Sequence, residues 1–353
     1  MARSSVAVIF GGRSGEHEVS VRSAIAVTEG LSGAHDVLPV LIDAEGRWLL
    51  QPSGVARPSG GEPVFLAPTP EDHGCLRSLA SAVVLGRPEV YFPLVHGTFG
   101  EDGTLQGLLE LAGVPYVGSG VLGSAAGMDK AIMKALFAQA GLPQCPFAVL
   151  HDSAASHDIL LEPLGLPLFV KPANLGSSVG ITKVKTRDAL EPALARAFSF
   201  DRKVIVERGV DAREIEVAVI DGEPPAASVP GEVVPDREFY DYESKYASAS
   251  RSELRIPAPL APDVAERAGD LARRVFRAVE AEGYARVDLF LDRDTDRLLV
   301  NEINTIPGFT SISMFPKLWD ASGLPYAALL ERLIALARKR HAARSALARR
   351  FTP

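Results

Sequence analysis

Little in this chain suits a stapled, metal-clustered or membrane-bound protein. Of its 353 residues only two are cysteines, Cys75 and Cys145, too few for a disulfide framework or a thiolate metal cluster. The seven histidines are scattered, and none stands at the spacing of a zinc site. No apolar run approaches the roughly 20 residues of a membrane-spanning helix, so membrane insertion is not expected. The first apolar stretch, "VAVIF" at 6–10, is too short for the core of a signal peptide, and the cytoplasm is the expected compartment. Positive charge is not in excess either. The 37 basic and 44 acidic side chains leave a net charge of −7, which argues against a nucleic-acid partner. The basic tail "ARKRHAARSALARR" (337–350) reads instead as a solvated C-terminal helix.

What is present is ordinary globular composition, 47% hydrophobic and 23% charged, at a length that favours two or three domains. "SVAVIFGG", "DVLPVLID" and "EVYFPLVHG" read as strands, two of them running into glycine loops. "VRSAIAVTEGL" and "GTLQGLLELAG" have helical spacing, and "VPYVGSG" reads as a further strand and turn. Such alternation implies an α/β unit with a parallel sheet and functional loops at the strand C-termini. The texture changes near residue 120. "PLFVKPA" and "KVIVERGV" form strands on either side of the glycine-rich "NLGSSVGITKV". A third region from Glu207 holds a long loop over 235–260, a helix, a hairpin and a last helix. The expected domains are 1–118, 119–206 and 207–353.

The hairpin carries the first chemical signal. In "RVDLFLDRDTDRLLVNEINTIPGF" (286–309) two apolar runs flank the turn-prone Asp294-Thr295-Asp296. A turn centred on Thr295 sets Asp288 opposite Glu302 and Arg286 opposite Asn304, all on one face. Opposed residues have Cβ atoms about 4.5–5.5 Å apart, where like charges repel. A hard cation such as Mg²⁺, liganded by two carboxylates and an amide and sharing phosphate oxygens, removes the objection. The alternative is a solvated face with an Arg286 salt bridge.

The glycine loops exclude some cofactors. In "FGGRSGE" Gly11 and Gly12 are adjacent, so the G-x-G-x-x-G dinucleotide fingerprint fails, and "GSSVGITK" lacks the ending of a phosphate-binding P-loop. "NLGSSVG" still suits phosphate as an anion nest with Ser177 and Ser178 as hydroxyl donors, or serves as a plain hairpin loop. Lys171, at the end of an apolar strand, and Lys130 add two cations. Together with the carboxylate hairpin they point to ATP as a phosphoryl donor.

These stretches, with "VAVIFGGRSGEHEVSVRSA", "PLVHGTFGEDGTLQGLLELAGVPYVGSG", "MDKAIMK", "EIEVAVI", "EFYDYESKY" and "VNEINTIPGFTSISMFPKLW", resemble the D-alanine–D-alanine ligases of the ATP-grasp superfamily, in order and over nearly the whole chain. The resemblance implies a three-domain fold with ATP gripped between the second and third domains. It implies phosphorylation of a first D-alanine and attack on the acyl phosphate by the amine of a second, for peptidoglycan synthesis and the cell wall. By resemblance Glu16 holds the first ammonium, and His96 lies near the first carboxylate. Ser177 and Tyr246 close a lid with Glu16. Lys130, Lys171 and Ser178 contact phosphates. Glu207 and Glu214 take the adenine and ribose side. Arg286 and the Gly308 N–H form the oxyanion site, and Lys245 and Ser313 bind the second carboxylate. Asp288, Glu302 and Asn304 are the metal ligands, for two Mg²⁺ ions that Mn²⁺ can replace. Activation by K⁺ stays open, and a homodimer through the first domain is expected.

Rival readings are a D-lactate or D-serine ligase of the same fold, another ATP-grasp enzyme, and a degenerate ATP-binding regulator. Tyr246 and Met314 favour the dipeptide-forming type, "FYDYESKY" speaks against a different ATP-grasp enzyme, and the full set of chemistry residues speaks against a regulator. The failed fingerprint disfavours a dehydrogenase.

Overall fold

The computed structural model describes residues 3–347, apart from 53–59, 152–156, 177–178, 236–252 and 311. Three sheets follow one another along the chain.

The first sheet comprises β1 (Ser4–Gly11), β2 (His35–Ile42), β3 (Trp48–Leu50), β4 (Glu62–Leu66), β5 (Leu76–Ser78), β6 (Val84–Gly86) and β7 (Val90–Pro93), in the order β6-β5-β4-β3-β2-β1-β7. Only β2-β1-β7 is parallel; β2 to β6 form an antiparallel meander. The sheet is therefore mixed, not wholly parallel, because short turns rather than helices join those strands. "VPYVGSG" forms no strand but a single bridge, Tyr91 to Tyr116.

Helices α1 (His17–Leu31) and α2 (Thr104–Ala112) cover opposite faces of this sheet. Val6, Val8 and Phe10 of β1 face the α1 side, and Ala7 and Ile9 the α2 side, as the continuous apolar run of a doubly covered parallel strand demands. One hydroxyl aligns the functional ends. Ser20 Oγ on α1 accepts from the Gly11 N–H (2.7 Å) and donates to the Leu94 carbonyl (2.6 Å), tying the ends of β1 and β7 together.

Helices α3 (Val121–Met128) and α4 (Lys130–Gln139) lead to the second, antiparallel sheet. Its strands are β8 (Phe147–Leu150), β9 (Leu168–Pro172), β10 (Thr182–Val184) and β11 (Val204–Arg208), ordered β10-β9-β11-β8, with α5 (His157–Leu164) and α6 (Leu190–Phe198) supplying its core. The third sheet has β12 (Ala212–Ile220), β13 (Ala226–Ala227), β14 (Gly231–Val234), β15 (Glu253–Arg255), β16 (Tyr284–Asp292) and β17 (Leu298–Asn304). Strand β15 lies inside the stretch that reads as a loop in the sequence. Helix α7 (Pro262–Ala278) buries Val264, Ala268, Leu271, Val275 and Phe276, one stripe at helical spacing. The stripe packs on Val217, Val219, Val287, Leu289 and Leu291. That face of the third sheet is thereby closed, and the alternate residues are left for the site.

Helices α8 (Met314–Ala321) and α9 (Tyr326–Ser345) bind the third region back to the first. Leu329, Leu330, Leu333 and Ile334 share a core with Val6, Val8, Val27 and Leu31. The basic tail is helical through Ser345, but it is not simply solvated. Arg340 donates to the carbonyls of Tyr116 (2.8 Å) and Gly118 and lies 4.3 Å over the Tyr116 ring. Arg344 meets Glu110. These arginines clamp domains together.

At the seam Phe309 is fully buried, edge-on to Phe92 (5.8 Å, 84°) and to Tyr284 (5.4 Å, 89°) and 5.3 Å from Phe315. Its N–H donates to Ser23 Oγ (3.2 Å), and its carbonyl accepts from Tyr326 Oη (3.0 Å). Phe309→Ala is therefore expected to cost about 3–5 kcal/mol, seen as a lower denaturant midpoint. A midpoint at the wild-type value would mean that the aromatic seam does not carry the domain contact.

Candidate active site

The hairpin register is the core of the site. Asp288 lies opposite Glu302, and Arg286 opposite Asn304, as the sequence predicts, but by a different route. Nearer the turn Leu291 opposes Leu298 and Leu289 opposes Val300, so the turn centre falls half a residue before Thr295. A bulge at Asp288/Leu289 leaves Asn301 with no opposite residue and restores the pairing at the functional end. On the other side β12 sets Glu216 opposite Asp288, Ala218 opposite Arg286 and Glu214 opposite Phe290. Six polar positions thus share one face: Glu214, Glu216, Arg286, Asp288, Glu302 and Asn304.

Arg286 organises that face. Its Nε donates to Asp288 Oδ1 (2.6 Å) and its Nη2 to Oδ2 (2.7 Å), and Nε lies 3.0 Å from Glu216 Oε2. Burial opposes the guanidinium charge, but Asp288, Glu216 and Glu302 hold its pKa well above the ordinary arginine value. Glu302 Oε2 is 3.5 Å from Lys130 Nζ, which also donates to the Leu175 carbonyl (2.8 Å). Lys130 therefore joins the carboxylate hairpin to the glycine-rich loop. Asn304 Oδ1 accepts from the Ile306 N–H (3.0 Å), which orients the amide.

Among the described residues no group of three or more His, Cys, Asp or Glu side chains forms a metal cage. Two opposed carboxylates and an amide oxygen nevertheless fit a hard divalent cation that completes its shell with phosphate and water. The Arg286 salt bridge and a cation at Asp288 are not exclusive, since each carboxylate oxygen has two acceptor sites.

On the second sheet Lys171 and Glu207 face each other through the Ile205–Lys171 register. Lys171 Nζ donates to Glu207 Oε2 (2.5 Å), and Lys134 Nζ donates to Oε1 (2.6 Å). Burial would raise the Glu207 pKa, but the two ammonium groups outweigh it and lower the value. Burial likewise works against the Lys171 charge, and Glu207 reverses it. Glu214 opens β12, half-buried, on the same sheet face as Glu216.

The loops that converge on Glu16 complete the arrangement. Glu16 is the N-cap of α1, yet its side chain makes no capping bond. A Cβ on Gly97 (φ +73°) would come within 2.8 Å of Glu16 Oε2, and one on Gly176 within 2.9 Å. The carboxylate therefore lies between the His96 loop and the loop leading to Ser177, and at Gly97 the positive φ also favours glycine. His96 is 3% exposed. Its Nδ1 meets the Ile306 carbonyl (2.8 Å) and Glu101 (3.5 Å), and its Nε2 meets Ser23 Oγ (3.4 Å). Burial disfavours its protonation, but Glu101 prevails and raises the ring pKa. Ser313 Oγ bonds Thr310 Oγ1 (2.7 Å) and would lie 2.9 Å from a Cβ on Gly308. Ser177, Ser178, Lys245 and Tyr246 lie outside the described residues.

Three residues escaped the sequence reading: Glu216, Lys134 and Glu101. Two of them carried a signal. Glu216 follows Glu214 at the period of a strand, and Lys134 follows Lys130 at one helical turn.

The folding of three α/β units around these residues defines the architecture of a three-domain ATP-grasp ligase, a class that uses ATP and a divalent metal. Models of the D-Ala–D-Ala ligase N terminus and C terminus match residues 5–119 and 136–335, and the chain belongs to the D-alanine–D-alanine ligase family. It is 48% identical to the D-alanine–D-alanine ligase of Heliobacterium modesticaldum, over 99% of each chain. It is 49% identical to D-alanine–D-alanine ligase A of Bradyrhizobium diazoefficiens, over 98% of each. Among solved structures it resembles the D-alanine–D-alanine ligase from Coxiella burnetii (TM-score 0.86, 35% identity, 98% of this chain and 97% of that one). It also resembles the VanG D-Ala:D-Ser ligase from Enterococcus faecalis (0.84, 33%, 95% and 100%).

The buried Glu207 makes a prediction about pH. Its folded pKa lies below the ordinary 4.5, so its contribution is complete above that value and is lost as pH falls through the folded pKa. Glu207→Gln is expected to cost about 3–5 kcal/mol near neutral pH, where it breaks buried pairs. The gap to wild type should shrink on acidification below about pH 4.5. A gap that stays constant in denaturant melts from pH 7 to pH 3 would show that Glu207 is not ionised in its folded site.

Proposed function

We propose that this chain uses ATP to join two D-alanines into D-alanyl-D-alanine, the dipeptide of peptidoglycan precursors, in the cytoplasm. The observation that carries the reading is the single sheet face on which Arg286, Asp288 and Glu302 meet, bridged by Lys130 to the glycine-rich loop. A carboxylate is a poor acyl donor until phosphate replaces its oxygen as leaving group. In this reading Glu16 holds the ammonium of the first D-alanine, with His96 at its carboxylate, and aims that carboxylate at the γ-phosphate of ATP. Lys130, Lys171 and Ser178 hold the phosphates, and Glu207 and Glu214 the adenosine. The carboxylate oxygen attacks the γ-phosphorus, and ADP leaves.

The second D-alanine, held at its carboxylate by Lys245 and Ser313, enters as the free amine, having left its ammonium proton in bulk water. Its amine attacks the acyl carbon, and inorganic phosphate departs. Arg286 and the Gly308 N–H stabilise the oxyanion of the tetrahedral intermediate, a term typically worth about 3–4 kcal/mol. Ser177 and Tyr246, with Glu16, close the lid that keeps water from the acyl phosphate. Asp288, Glu302 and Asn304 would hold the divalent cation, which screens the phosphate charge; the reading is two Mg²⁺ ions, replaceable by Mn²⁺. No helix among the described residues is long and apolar enough to cross a membrane.

The protein is read as a homodimer through the first domain. The domains are read as 1–118, 119–206 and 207–353.

The relatives at 48–49% identity are named for D-alanine on both sides, which favours D-alanine over D-serine or D-lactate as second substrate. The test is phosphate release from Mg·ATP with D-alanine alone and with D-serine or D-lactate added, with the products weighed by mass spectrometry. D-Alanyl-D-alanine is expected as the main product. A predominant mixed product would move the chain to the D-serine or D-lactate ligases. In the same assay Glu302→Gln should lower turnover by about 10²–10³-fold, the scale of one lost electrostatic contact, without shifting the melting temperature. Undiminished turnover would remove the metal assignment.

A further inference from the structure

Lys134 is a buried charge that the proposed reaction does not use. It is 1% exposed, as is Glu207, while Lys171 is 8% exposed. Its Nζ donates to Glu207 Oε1 at 2.6 Å and lies 5.5 Å over the Phe147 ring. Gln144 Nε2 fixes its backbone by donating to the Lys134 carbonyl (2.9 Å). The Lys134 ammonium is directed at Glu207 rather than at a nucleotide. The other oxygen of the same carboxylate takes Lys171 at 2.5 Å. Lys134 stands one helical turn beyond Lys130, so α4 sends one lysine to the glycine-rich loop and Glu302 and the next to Glu207.

Charge counting gives the reason. A single buried lysine with Glu207 would be neutral, and Lys171 would spend its charge on the carboxylate. Removing two charges from water is already costly, and a third adds to the cost without improving the pair. With Lys134 present the trio keeps one net positive charge, and its most accessible member is Lys171. We propose that Lys134 is a positioning residue for nucleotide binding. It neutralises Glu207 from behind, so that the charge of Lys171 remains available to the phosphates of ATP. This rests on the reading of Lys171 as a phosphate contact. It predicts that Lys134 governs the phosphate part of nucleotide affinity and not the adenine part.

The measurement is equilibrium binding of ADP and of adenosine to the full-length chain with Mg²⁺. Wild type binds ADP more tightly than adenosine. Lys134→Gln keeps a hydrogen bond to Glu207 but removes the charge. It weakens ADP by about tenfold, the order expected for one unit charge several ångströms away at an intermediate dielectric, and leaves adenosine within about twofold. The double variant Lys134→Gln/Glu207→Gln returns the trio to one net positive charge and restores the ADP-to-adenosine ratio, which a role in packing alone would not do. Lys134→Arg keeps the ratio.

The proposal is overturned if folded Lys134→Gln binds ADP as wild type does, if ADP and adenosine weaken together, or if the double variant shows no recovery. Should Lys134→Gln fail to fold, the double variant decides alone: a wild-type ratio supports the proposal and a collapsed one overturns it. Equal affinity of wild type for ADP and adenosine would instead remove Lys171 from the phosphates, and this proposal with it.

Discussion

One face of one sheet must be apolar, and the architecture of the site follows from that. Helix α7 lays its apolar stripe on Val217, Val219, Val287, Leu289 and Leu291. Because side chains alternate along a strand, every neighbour of those residues points to the other face. A slip of one residue would drive Arg286 and Asp288 under the helix and bring Val287 out. The hydrophobic contact therefore sets the register of three adjacent strands, and the charged residues inherit their positions from it. The bulge that leaves Asn301 unopposed is the one departure. It lies where the turn-side pairing and the site-side pairing disagree by a residue, and it bends the strand at the carboxylates, a common placement for bulges beside active sites.

Stability does not explain the charges on that face. Arg286 is flanked by Asp288 and Glu216, with Glu302 opposite Asp288, and Glu207 sits between two lysines. Buried ion pairs of this kind seldom outperform well-packed apolar residues of the same volume, although breaking one is expensive. Their arrangement is better understood as preorganisation. Arg286 is held by more than one carboxylate, so a cation drawn to Asp288 need not release the guanidinium. Glu207 is held by both lysines and is fixed before any nucleotide arrives. Donors and charges already aimed in the resting protein need not reorganise during reaction.

Much of this was legible in the sequence because the period of two is strict in "RVDLFLD" and "VNEIN". The pairing of Asp288 with Glu302 could be written down, although the turn centre was placed half a residue late and the bulge was not foreseen. The same period would have found Glu216. The parallel character of the first sheet was overestimated. Strands β3 to β6 are short, and nothing in their composition tells a meander from a crossover. Glu101 was not legible at all, since only the fold brings it to His96. The basic tail was misread for a related reason. Its arginines look solvated along the helix, but their partners, Glu110 and the carbonyls of Tyr116 and Gly118, are more than 200 residues away.

Those long-range contacts explain how a site drawn from separate domains stays assembled. Glu16 and His96 come from the first region, Lys171 and Glu207 from the second, and Arg286, Gly308 and Ser313 from the third. What joins the first to the third is apolar packing, supplemented by the Arg340 and Arg344 contacts. Phe309, next to Gly308, is wedged against Phe92 and Tyr284, and Ser23 bonds both the Phe309 N–H and His96. One buried aromatic ring therefore sets the distance between a histidine in the loop after β7 and a backbone N–H in the third region. Aromatic packing of this kind is short-ranged and intolerant of gaps, which makes it a better spacer than a salt bridge would be. The second region meets the third through Lys130 and also through Met133, Phe137 and Leu142, which share a buried core with Ile215, Val287 and Val300. All three regions are thus joined by buried apolar packing, and the charged side chains of the site are set upon that frame.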